Sequence, residues 1–164
     1  MTATATAPAT ATTTTAASQP RLALGRLFPA AYRAMSAFDD AVSEARLEAS
    51  LLNLVKQRAS QINGCAYCLD MHAKDARAAG ESQQRLDVLS AWDEVPLYTD
   101  REKAALALTE AITLVADTHV PDEVVDAARA HFSDEELAAL VFHVVTINAW
   151  NRIAITARMP LPAP

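Results

Sequence analysis

Glycine is nearly absent from this 164-residue chain: Gly25, Gly64 and Gly80 are the only three. A phosphate-cradling loop or a dinucleotide fingerprint clusters its glycines within one turn, so these scattered ones exclude both. Alternating β-branched runs, the mark of strands, are missing. So is any stretch approaching the roughly 18 uninterrupted apolar residues of a membrane span. Positive charge is in deficit, with 14 Lys and Arg against 20 Asp and Glu and a net charge of −6. An acidic chain with scattered bases offers no attraction to a phosphate backbone or an anionic lipid surface, so neither nucleic acid nor membrane is an expected partner. Cysteine occurs only twice, at Cys65 and Cys68.

What is present is alanine-rich helical periodicity over a 51% hydrophobic composition, enough for one all-α domain with a real core. Residues 1–20 form a low-complexity Ala/Thr tail without large apolar side chains, expected to be disordered, and the domain is expected over residues 21–160. The tail has neither the apolar h-region of a secretory signal nor the arginines of a transit peptide, so a cytoplasmic location is expected.

Capping signals divide the domain. A first helix is expected from Pro29 to about Ser43, burying Tyr32, Met35 and Phe38, and a second from Leu47 to Gln61 on a stripe of Leu47, Leu51, Leu54, Val55 and Ile62. Asn63-Gly64 ends it in a left-handed turn. A third helix is expected from Cys65 to Ala79, stopped by Gly80, and a short fourth from a Ser82 cap to near Trp92. Thr99 with Glu102 has the spacing of a capping box for a helix to about Asp117, and Pro121 suits the first turn of another. Ser133 with Glu136 repeats the box for a long last helix. Leu137, Leu140, Val141, Val144, Val145 and Ile147 make that helix apolar most of the way round, placing it at the centre of the bundle or in a subunit interface.

The chemistry concentrates in Cys65-Ala66-Tyr67-Cys68, directly after the turn and at a helix start. Unpaired amides and the helix dipole stabilise a thiolate there, and cysteines three apart can open and close a disulfide. His72, four residues beyond Cys68, brings a base to the same helix face. Being the only pair, at this spacing and with a histidine in register, sets the cysteines apart from ordinary small core residues. Zinc would find three ligands in Cys65, Cys68 and His72, with no second cluster to close a tetrahedron. Haem attachment fails because Leu69 stands where histidine is needed, and a thioredoxin domain would place the pair in a βαβ unit. The helix start favours Cys65 as the more acidic thiol, whereas nearness to His72 favours Cys68.

The stretch SLLNLVKQRASQINGCAYCLDMHAKDARAAG, from Ser50 to Gly80, closely resembles the AhpD-like alkylhydroperoxidases of the carboxymuconolactone decarboxylase family. The likeness continues through Trp92, the helix from Thr99 to Val115 and Ile147-Asn148-Ala149-Trp150-Asn151-Arg152. It implies an all-helical fold, a homo-oligomer that is a trimer or hexamer, and thiol-dependent reduction of organic hydroperoxides. The family's decarboxylases lack the cysteine pair, so its presence points to the redox branch. The resemblance makes Cys68 the peroxidatic cysteine, Cys65 the resolving one and His72 part of the proton relay. No resident cofactor is implied; an external dithiol or protein thiol regenerates the pair.

One departure stands out. Where the family carries a glutamate, twelve residues before the first cysteine, this chain has Asn53, which hydrogen-bonds but accepts no proton. Restoring the glutamate is therefore expected to raise turnover if the family's relay geometry survives. Glu48 and Glu110 are the substitutes considered, though solvated surface charges describe both better. Tyr67, where some members have histidine, is expected to pack in the pocket or to donate to a peroxide oxygen. His119, His131 and His143 receive no role, and Asn151 and Arg152 are expected to make structural or interface hydrogen bonds. Two further functions remain open: a thiol–disulfide oxidoreductase acting on a protein partner, and a redox-sensing oligomer with little peroxidase activity.

Overall fold

The capping signals materialise as anticipated. Thr99 and Ser133 each accept from the backbone N–H three residues on, and Glu102 and Glu136 bond back to the cap residues, closing two complete capping boxes. Ser82 likewise accepts from the Arg85 amide. The computed structural model describes residues 20–44 and 47–161, and within them the chain is all-α. The expected tail lies outside the described residues up to residue 19.

The helices are α1 (Leu24–Leu27), α2 (Pro29–Ser43), α3 (Ala49–Asn63), α4 (Ala66–Ala78), α5 (Gln83–Asp87), α6 (Asp100–Thr113), α7 (Val115–Thr118), α8 (Asp122–Arg129) and α9 (Asp134–Ala157), with a 3-10 segment, Leu89–Glu94, after α5. Three differences from the sequence expectation have physical causes. The single turn α1 has no periodic stripe to announce it. The α6 helix ends at Thr113 rather than near Asp117, because Leu114 and Val115 meet no core and stay exposed. Pro121 sits one position earlier than expected, as the N-cap of α8.

The centre of the bundle is α3, packed on α4, α6 and α9. Instead of a single stripe, it buries Leu51, Leu54, Val55, Gln57, Ala59 and Ser60 in sequence order, most of its circumference. One core cluster joins Leu51 and Val55 to Leu108 of α6 and to Leu140 and Val144 of α9; a second joins Leu54 to Leu89, Tyr98 and Leu106. The long α9 lays Leu137, Leu140, Val144 and Ile147 into this core while leaving Phe142, at 52% exposure, and Val145 outside. By length and composition α9 is apolar enough to cross a membrane, but it packs here as a core helix. On the outside, α2 buries only Val42; Tyr32, Met35 and Phe38, expected in the core, are half-buried, Tyr32 lining the cavity described next and Phe38 meeting Phe142 of α9.

Candidate active site

Two helix ends build the site. Gly64, at φ +66°, closes α3 in a Schellman turn: its N–H reaches the Gln61 carbonyl (3.2 Å) and the Cys65 N–H reaches that of Ser60 (3.1 Å). No neighbour approaches a Cβ built on Gly64, so what this position requires is the left-handed backbone itself. The turn delivers Cys65 in extended conformation as the N-cap of α4, one residue outside the helix expected to start there, with Cys68 inside its first turn. Both thiols are free, both are buried (1% and 2% exposed), and their sulfurs lie 2.9 Å apart. That is hydrogen-bond contact, well short of a covalent S–S bond near 2.05 Å.

The pair divides its acidity unevenly. The hydrogen bond between the two thiols, the backbone N–H groups of Cys68 and Tyr67 and the Asn151 amide hold Cys65 down at about 6, against the pull of burial. The same partnership, together with burial and the nearby Cys65 charge, pushes Cys68 up. The hydrogen bond between the two thiols is the first cause of both shifts, and the amides at the helix start add to it on Cys65, which is the more acidic sulfur at rest.

Access favours the other sulfur. A cavity of roughly 260 Å³ is lined by Cys68, Tyr67 and His72, and Cys65 is not part of its wall. His72 is 7% exposed; burial first, then the Lys56 charge, lower it to about 4 against the opposing pull of Asp75 and Asp39, so it is neutral at neutral pH. Its Nδ1 faces the Asp75 carboxylate at 3.7 Å, and its Nε2 is buried without a partner among the described residues. A neutral imidazole held this way offers an unprotonated nitrogen inside the cavity wall. Tyr67 packs against the cysteine cluster and lines the same space.

Asn53 is elsewhere. It lines a separate cavity with Ser50, Ala76, Gly80, Glu81 and Arg85, one turn along the α3–α4 seam from His72. Neither carboxylate considered as a substitute reaches the cysteines: Glu110 Oε1 accepts from Arg58 Nε and Trp92 Nε1, each at 2.7 Å, and Glu48 is held by Arg101. The acid in the cavity wall is Asp39, on α2, and the cation is Lys56, on α3. Sequence reasoning singled out neither. A lysine set between the buried residues Val55 and Gln57 was the available signal for one; nothing in α2 marks the other.

Behind the cysteines an amide network ties α3 to α9. Asn63 donates to Asn148 Oδ1 (3.0 Å) and to Asn151 Oδ1 (2.9 Å), Asn151 donates to Ser60 Oγ (3.1 Å), and Asn148 donates to Thr113 Oγ1 (3.0 Å). Arg152 Nη1 donates to the Asn148 carbonyl and side chain. Asn151 is fully buried, so its hydrogen bonds are internal to the fold. Of the histidines without a role, His143 is buried with both ring nitrogens unpartnered, while His119 and His131 are exposed. Among the described residues no group of three or more His, Cys, Asp or Glu is arranged to hold a metal ion.

Residues 29–111 match the family model of the carboxymuconolactone decarboxylase family. An uncharacterized Bacillus subtilis protein, YdfG, is 40% identical over 135 residues, which is 82% of this chain and 92% of that one. A solved structure of a protein of unknown function from Agrobacterium tumefaciens, provisionally named an antioxidant defence protein AhpD, is also 40% identical; it covers 89% of this chain and 100% of its own, with a TM-score of 0.86. An uncharacterized peroxidase-related protein from Ralstonia eutropha JMP134 with an alkylhydroperoxidase AhpD core shares the fold at a TM-score of 0.74 and 22% identity, covering 87% of this chain and 77% of its own.

Proposed function

The chain belongs to the carboxymuconolactone decarboxylase family, and from that premise we propose that it is an AhpD-like, thiol-dependent peroxidase reducing organic hydroperoxides. The observation that carries this reading is the arrangement around Cys68: a second thiol at 2.9 Å on one side, and on the other a cavity that His72 also lines. Cys68 attacks the terminal peroxide oxygen as thiolate. The O–O bond breaks, the alkoxide leaves as the alcohol after taking a proton, and the sulfur becomes a sulfenic acid. Cys65 then attacks that sulfur, expelling water and forming the disulfide, and an external dithiol returns both sulfurs to thiols at the cost of its own oxidation. His72, neutral and in the same cavity wall as Cys68, is in this proposal a member of the proton relay around that sulfur. Cys65, the more acidic of the two thiols, resolves the sulfenic acid as its thiolate.

In this proposal the chain works in the cytoplasm, where dithiol reductants are supplied, and assembles as a homotrimer or hexamer. Steady-state reduction of cumene hydroperoxide with a small dithiol donor tests the activity. Cys68→Ser is expected to abolish turnover, and Cys65→Ser to leave a sulfenic acid that a dimedone reagent traps on Cys68. Trapping on Cys65 in the Cys68→Ser protein would exchange the two roles. A second reading, thiol–disulfide exchange with a protein partner, draws on the low pKa of Cys65, the sulfur such exchange would use; it predicts a disulfide that cycles while peroxide is left unconsumed.

A further inference from the structure

The cavity beside Cys68 holds more polar donors than its own walls can satisfy. Lys56 lines it half-buried, and among the described residues its ammonium has neither a carboxylate within ion-pair distance nor a hydrogen-bond acceptor. Each ion pair among the described residues involves a cation other than Lys56. Trp150, on α9, lines the same cavity with its indole Nε1 buried and unpartnered. A half-desolvated ammonium and an orphaned indole N–H each cost stability in the empty protein, and an acceptor brought by a ligand relieves the first. The remaining wall is apolar or aromatic: Tyr32, stacked edge-on against Trp150 with centroids 5.4 Å apart, and Met71, Ile147 and Met159. Asp39, across from α3 on α2, is the single acid in the lining.

We propose that this cavity selects hydroperoxides with an apolar or aromatic body and one carboxylate, the carboxylate pairing with Lys56 while the peroxide lies at Cys68. Asp39 opposes a second negative charge, so the class is the monocarboxylate rather than the dianion. The inference rests on the peroxidase reading for its chemistry, which is unchanged: the hydroperoxide becomes the hydroxy acid and water, and the cysteine pair becomes the disulfide.

The test compares cumene hydroperoxide with its para-carboxylate, using a small dithiol as reductant. Wild type is expected to favour the carboxylate by about tenfold in kcat/KM, the gain residing in KM, as a charge-assisted hydrogen bond provides. Lys56→Met is expected to bring the ratio to one or below, and Lys56→Arg to restore it. Because the ratio is taken within each variant, loss of folded protein cannot imitate the result. Turnover of both compounds without preference would overturn the carboxylate assignment and leave the peroxidase reading standing. If neither compound is reduced, the peroxidase reading falls, and calorimetry with unreactive 4-isopropylbenzoate decides the cavity separately. Binding that disappears in Lys56→Met upholds the carboxylate site, and no binding to wild type overturns it.

Discussion

Two imidazoles carry a measurable share of this protein's response to acid. His72 and His143 are both buried and both held near 4, by burial first and then by the Lys56 charge, whereas in the unfolded chain each titrates near 6.5. Between those values the unfolded chain takes up protons that the folded one refuses. Stability is therefore full above pH 6.5, falls as pH drops towards 4, and loses about 3 kcal/mol per histidine across the window. Urea midpoints measured from pH 7 to pH 4 are expected to follow this slope, and His143→Leu to remove about half of it; a flat profile would place both rings in contact with solvent. At position 53 the sequence and the surroundings of the residue point to different outcomes. From sequence alone, Asn53→Glu restores a relay and raises turnover. The residues around Asn53, however, include Arg85, whose Nε is buried without a hydrogen-bond partner although it lies 3.4 Å from Glu81. A glutamate introduced there is expected to pair with Arg85 and leave the proposed peroxidase turnover within about twofold. A tenfold rise would restore residue 53 to the relay.

Helix α4 is bracketed by two glycines, Gly64 at φ +66° and Gly80 at φ +92°, each followed by the same pair of hydrogen bonds back into the preceding helix. The first bracket sets where Cys65 leaves α3, so Gly64→Ala is expected to cost about 1 kcal/mol in thermal unfolding through the backbone alone, there being no side-chain clash to add to it. This level of the structure was largely legible in the sequence, because a capping box, a proline at a helix start and an Asn-Gly stop are local signals whose hydrogen bonds close within a few residues. The cysteines and His72 were legible for the same reason, lying within eight consecutive residues. The cavity was not. Tyr32, Asp39, Lys56 and Trp150 come from α2, α3 and α9, and only the packing of those helices brings them to one wall. Nor did periodicity show how deeply α3 is buried, since its alanine and serine positions resemble a polar face until α4 and α9 cover them.

At the scale of the molecule, the outer face of α9 carries unused apolar surface. Phe142 and Val145 stay exposed there, and Phe142 meets Phe38 of α2 edge-on at 6.1 Å. If the proposed trimer or hexamer uses this face, light scattering of wild type should give a mass several times that of one chain, and Phe142→Glu should shift it towards the monomer; an unchanged mass would move the interface elsewhere. The burial of the two sulfurs has a different consequence, for chemical labelling. A bulky maleimide dye cannot touch a thiol that is 1% or 2% exposed, whereas a reagent as small as iodoacetamide fits a space of roughly 260 Å³. Large-probe labelling will therefore report how often the α3–α4 seam breathes open, and small-probe labelling how reactive Cys68 is in the closed protein. The ratio of the two rates becomes a clock for local opening, readable without any substrate.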